Sequence, residues 1–212
     1  MDSLAKTIDQ LLPVVIDLDD FSIHYMGLDE QSWECLDKLK EVYPNLKINM
    51  FTVPDRSTSE WLHAAKVKYP WLELHYHGSD HKNKKEWFNK TSVDLPYQGE
   101  NLFVKGFKAP WWKMDQQTAD LFNAKGFILS TNQTYPLQGE YTYQYDAGEE
   151  LIKDTLYKHV DYYSWHGHVQ KQNYAGGNGL SQVYDTIAGT FVRDTEFLFI
   201  TELFKDTNYT AR

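Results

Sequence analysis

Apolar and polar positions along the chain fall into short strand-like runs separated by stretches with helical spacing. Leu11 to Leu18 is a brief apolar run ending in acidic residues, the pattern of a buried strand. Asp29 to Tyr43 spaces its apolar residues as one face of a helix, with Pro44 just beyond it. Leu46 to Val53 reads as a strand, and Ser57 to Tyr69 as a helix capped by Ser57 or Ser59 and closed by Pro70. Trp71 to His77 alternates as a strand does. Leu102 to Phe107 is extended, Met114 to Lys125 helical with Gly126 as its stop, and Phe127 to Ser130 a short strand. Gly148 to His159 is expected to be helical, Tyr162 to His166 extended, Leu180 to Gly189 helical, and Phe197 to Leu203 a last strand. Lys82 to Gly99 and Gln133 to Gly148 are polar excursions. Strands alternating with helices predict a parallel α/β sheet, and about seven of them without a linker point to an irregular (β/α)7-type barrel. The 212 residues form one domain, 1–212.

Composition narrows the function more than the fold. The 16% aromatic content includes 7 Trp and 15 Tyr, enough both to fill a barrel core and to wall a carbohydrate cleft. A formal charge of -9 disfavours nucleic acid and anionic membrane surfaces as partners. No run is apolar and long enough to span a membrane, and Met1 to Gln10 lacks the pattern of a signal peptide. The cytoplasm is the default compartment, although a trimmed secreted protein or a virus-encoded one would look the same. Cys35, the one cysteine, sits among apolar neighbours and reads as a core residue. Oligomeric state is not encoded in any pattern of the chain.

Side chains that follow the carboxyl ends of parallel strands converge on one face of such a sheet. The first strand ends in Asp17, Asp19 and Asp20, carboxylates that repel one another unless a cation or proton lies between them. A turn capped by aspartate is the plainer reading. The third strand ends in His75, His77 and, across Gly78, His81. Two imidazoles and a carboxylate leave positions for water and substrate on a divalent metal. His81 is expected in the first turn of a helix starting at Ser79 or Asp80, with Asp80 bonded to a ligating imidazole. His75 is a further ligand or a filler. Lys108, Pro110, Trp111 and Trp112 follow the fourth strand, and His166 and His168 the sixth.

In this order the pieces resemble the motifs of the polysaccharide deacetylases, carbohydrate esterase family 4. Asp17-Leu18-Asp19-Asp20-Phe21 is similar to Thr-Phe-Asp-Asp-Gly, and His77-Gly78-Ser79-Asp80-His81 to His-Ser/Thr-x-x-His. Lys108-Ala109-Pro110-Trp111 resembles Arg-x-Pro-aromatic, and Trp165-His166 the late leucine-histidine motif. The resemblance covers roughly Val14 to His168. It implies a metal-dependent hydrolase that removes acetyl groups from N-acetylated sugars. Asp20, His77 and His81 would hold a divalent metal, zinc first among the candidates, with Asp19 as base, Lys108 steadying it and His166 as acid. His168 is the alternative acid, Asp161 an orienting group, and Pro110, Trp111 and Trp112 border the sugar. Phe21 for glycine is expected to alter the approach to the base. Lys108 for arginine exchanges a planar fork for one mobile charge, and Gly78 stands where the family has a hydroxyl. An inactive glycan-binding relative and an amidohydrolase for a small non-sugar amide are the competing readings.

Overall fold

β1 (Val14–Phe21) runs through the middle of the molecule and is buried along its whole length. The computed structural model describes residues 13–26, 30–131, 136–139, 142–144, 152–156, 160–169 and 179–206. After β1 come α1 (Ile23–Met26), α2 (Glu30–Val42), β2 (Ile48–Thr52), α3 (Ser59–Lys68) and β3 (Leu72–Tyr76). β4 (Gly106–Lys108), α4 (Gln116–Ala124), β5 (Ile128–Thr131) and β6 (Thr142–Gln144) follow. β7 (Ile152–Leu156), β8 (Val160–His168), α5 (Gly179–Thr190) and α6 (Ile200–Asp206) complete the order. The sheet order is β6-β5-β4-β3-β2-β1-β8-β7. Every pairing is parallel except that of β7 with β8. This is the irregular α/β barrel of the sequence expectation, with β6 and β7 as its edges among the described residues.

Period-two alternation sorts each strand into two faces. Val14, Ile16 and Leu18 of β1 pack outward with Leu36, Leu39, Val183 and Ile187 of α2 and α5. Val15 points the other way, with Phe51, Ile128 and Tyr162, onto Ile200, Leu203 and Phe204 of α6. Asp17 and Asp19 share the inner face by the same alternation, above this apolar floor. The inside of the barrel therefore passes from an apolar plug at the amino ends of the strands to a polar cleft at their carboxyl ends.

Four local expectations change. Residues 152–156 form a strand, not part of a helix, because Ile152 to Leu156 pairs antiparallel along β8. The final segment is not a strand: Phe197 makes one isolated bridge to Val14, and the chain turns into α6. Glu202 accepts the Phe199 N–H and Asn49 Oδ1 the Ile200 N–H, which favours the helix start over further pairing. Thr58, rather than Ser57 or Ser59, caps α3, accepting the Trp61 N–H. β6 lies inside the stretch expected to be a polar excursion. No helix among the described residues is long and apolar enough to cross a membrane.

Candidate metal centre

A register shift in β1 between Leu18 and Phe21 decides what the two adjacent aspartates can do. Asp20 takes a left-handed backbone, φ 64, at this irregularity. Strict alternation would send Asp19 and Asp20 to opposite faces; the bulge lets both reach the cleft. It also turns Phe21 into the helix layer, 5.0 Å from the Trp61 ring and 6.2 Å from Trp33. Phe21 is thus buried in the helix-side core rather than in the cleft that Asp19 and Asp20 face.

Asp20 Oδ1 lies 3.8 Å from His77 Nε2 and 3.6 Å from His81 Nε2. Ligands at zinc-like bond lengths in a tetrahedron stand about 3.3 Å apart, so small shifts close this set around an ion. His77 Nδ1 is 3.0 Å from the Lys108 carbonyl oxygen, to which only an N–H can bond. That fixes the tautomer with a bare Nε2 facing Asp20, the state a metal requires. Burial, partly offset by Asp19, lowers the His77 pKa to about 3, and burial also lowers that of His81. Both imidazoles are therefore neutral at pH 7. The donor set fits a divalent ion that accepts nitrogen and oxygen ligands.

The route to His81 differs from expectation. No helix begins at Ser79 or Asp80; residues 77–83 form a loop, with His81 at φ 55. The Asp55 N–H bonds the Ser79 carbonyl, Glu86 accepts the Ser79 N–H, and Arg56 Nε donates to the Asp80 carbonyl. The Asp80 carboxylate accepts the Lys82 N–H, so the histidine-orienting role expected of it falls to the Lys108 carbonyl. Gly78, φ 68, lies under Pro110, where a Cβ would come within 2.5 Å of Pro110 Cγ. Its lack of a side chain is what lets the two motifs pack. His75 lies deeper, its Nε2 3.1 Å from Asn49 Oδ1 and 3.2 Å from Glu73, outside the ligand set.

Lys108 crosses the inside of the barrel from β4 to β1, fully buried over the Phe51 ring. Its Nζ is 2.7 Å from Asp19 Oδ1, 3.6 Å from Asp17 Oδ2 and 3.4 Å from His166 Nδ1. Burial is the largest single influence on Asp19 and raises its pKa, but Lys108, His77 and His168 together outweigh it and leave the carboxyl below its usual value. Burial, then Lys108 and His168, hold His166 well below the ordinary imidazole value. An ammonium only donates, so His166 Nδ1 accepts and its proton sits on Nε2, 3.8 Å from Asp19 Oδ2.

Asp19, His166 and His168 form a second cluster of metal-type ligands. The ammonium and the protonated Nε2 make it a poorer cation site than Asp20, His77 and His81. Trp111 lies 4.2 Å from the His81 ring, and Trp112 lies 5.8 Å from that of His166. Both are left-handed, at φ 53 and 63, in the short 3-10 turn Pro110–Trp112. Pro110 is buried. The Asp161 side chain lies outside the described residues. Asp17 was legible in the sequence only as one of three clustered acids; its place under Lys108 depends on β4 lying across from β1.

Fold and site together define an α/β barrel with a histidine–aspartate centre at the carboxyl ends of its strands. That fold is the one seen in family 4 carbohydrate esterases. The Xyl-CE4 domain of a multidomain xylanase from the hindgut metagenome of Trinervitermes trinervoides matches 93% of this chain and 91% of its own at TM-score 0.55 and 14% identity. A peptidoglycan N-acetylglucosamine deacetylase matches 91% and 88% at TM-score 0.54 and 13% identity. A family 4 acetyl xylan esterase from Clostridium thermocellum, in complex with a cobalt ion, matches 92% and 91% at TM-score 0.51 and 17% identity. No protein-family model matches the sequence, and no curated protein matches it.

Proposed function

We propose that this chain is a divergent family 4 carbohydrate esterase, a metal-dependent deacetylase acting on acetylated sugars. The observation that carries this reading is the convergence of Asp20, His77 and His81, with His77 Nδ1 held by the Lys108 carbonyl beside the Asp19–Lys108 pair. Asp20, His77 and His81 would hold the divalent ion, zinc or a similar metal. When bound, it supplies the positive charge that polarises the acetyl carbonyl and acidifies water.

Asp19 is the base. Its Oδ1 is fixed by Lys108, which leaves Oδ2, the oxygen nearer His77 and His166, to take the proton from the attacking water. As the tetrahedral species collapses, the departing amine or alcohol needs a proton, and Asp19 then carries one. His166 presents Nε2–H to the same space. With Lys108 beside Nδ1 this imidazole is neutral, so it steers the transfer by hydrogen bonding, and Asp19 takes over the acid role that the motif alone assigned to His166. His168, next to His166, is held below the ordinary imidazole value in the same way and lines the same space. Trp111 and Trp112 flank the two histidines and border the sugar, while Pro110 sets their turn.

The test is metal content together with acetate release. Wild type should hold one equivalent of zinc or a similar ion, and Asp20→Ala and His77→Ala should lose it. The metal-loaded protein should then release acetate from N-acetylated chitooligosaccharides or acetylated xylan. Absence of metal from all three proteins after incubation with zinc would overturn the reading.

A further inference from the structure

The lysine that replaces arginine is not a lone change. Asp17 occupies the place of threonine in the motif that the chain resembles, and its carboxylate lies 3.6 Å from the Lys108 ammonium. Both groups are buried, at 1% and 0% exposure, so neither can draw on water to fix its position. A guanidinium grips a carboxylate through a rigid fork, whereas an ammonium on four methylenes is directed only by the acceptors around it. Among the described residues the acceptors include Asp19 Oδ1, Asp17 Oδ2 and His166 Nδ1, in three directions. Asp17 is the register partner of His166 on β8, which puts it level with the imidazole it would influence. The rings of Phe51 and Trp112, 4.0 and 4.9 Å from Nζ, close other directions.

We propose that Asp17 is a positioning residue that acts with Lys108 as a two-residue substitute for arginine, anchoring the ammonium so that it holds both Asp19 and the Nε2–H tautomer of His166. Asp17 does not touch substrate in this arrangement; it acts through Lys108. The catalytic consequence rests on the deacetylase reading above, but the tautomer does not.

The decisive experiment is a double-mutant cycle on kcat and KM with Asp17→Thr, Lys108→Arg and the double variant. Arginine alone brings a longer, forked group into the space beside the Asp17 carboxylate, and threonine alone removes one of the acceptors that direct the ammonium. Each single change should lower kcat about 10- to 100-fold with KM nearly unchanged, and the double variant should recover to within a few-fold of wild type. Losses that simply multiply would overturn the pairing. Asp17→Asn, which keeps the shape, covers the case in which Asp17→Thr fails to fold. Ring-15N NMR should show His166 with bare Nδ1 in wild type and a mixture of tautomers in Asp17→Asn. An unchanged tautomer would overturn the proposal. Because this readout needs no turnover, it still decides the matter if the protein releases no acetate.

Discussion

Four side chains at the cleft, those of Asp20, His81, Trp111 and Trp112, hang from left-handed backbone positions. Non-glycine residues in that region cost about 1 kcal/mol or more each, and they persist where the surroundings over-determine them. Here the surroundings are the β1 bulge, the bonded loop after His77 and the Pro110 turn. Gly78 shows how tightly the last two fit. Gly78→Ser would bring the motif closer to the family's, yet it places a Cβ against Pro110 at positive φ. It should cost about 2–4 kcal/mol, read as a lower urea midpoint with unchanged m. A neutral outcome would mean that Pro110 moves freely. Asp19 and Asp20, and His77 and His81, were legible in the sequence as candidates because each pair lies within its own short stretch of chain. The left-handed Asp20 and the ammonium beside His166 were not, since both follow from contacts between strands far apart in sequence.

At the level of elements, most strands and helices from β1 to β5 fall close to where the hydrophobic pattern puts them, although β4 begins at Gly106 rather than Leu102 and the short α1 has no counterpart in that pattern. β7 and α6 do not, because tertiary partners override local preference there. α6 shows the mechanism. Its first turn is docked by polar groups from inside the barrel: Asn49 accepts the Ile200 N–H, and Thr201 donates to Glu73. Lys47 pairs with Glu202 at 2.7 Å. Nothing in the pattern from Phe197 to Leu203 records that Asn49, some 150 residues earlier, waits for an N–H. Asn49→Leu should therefore cost about 2–4 kcal/mol, since it strips a buried partner from both Ile200 and His75. Hydrogen exchange should show the amides of α6 losing protection before those of β1 and β2. Uniform loss across the sheet would contradict a local latch. Gly106 is a second hidden constraint, because a Cβ there would overlap the His75 ring. Gly106→Ala should destabilise the barrel by several kcal/mol on the same urea assay.

Across the whole molecule, the centre gathers more buried ionisable groups than stability alone would favour. His77, His81, His166 and His168 are all held below the ordinary imidazole value, burial being the leading cause for each. For His77 the folded value is about 3 against 6.5 in the unfolded chain, so between those limits the unfolded state binds the extra proton. The stability that depends on a neutral His77 is complete above pH 6.5 and is lost as pH falls toward 3, up to roughly 5 kcal/mol over the full window. Asp19, lowered below its usual value, adds a loss of the same sign that begins nearer pH 4. The metal-free protein should therefore unfold at a constant urea midpoint from about pH 8 to 7 and progressively earlier below 6.5. His77→Gln should flatten the upper part of that fall. Zinc at pH 7 should raise the midpoint by binding only the folded state, and the gain should shrink with acid as protons compete for the same imidazoles. A metal-free protein that grows more stable from pH 7 to 5 would mean that these histidines are charged in the fold, and a cluster of imidazolium groups would repel the ion assigned to it.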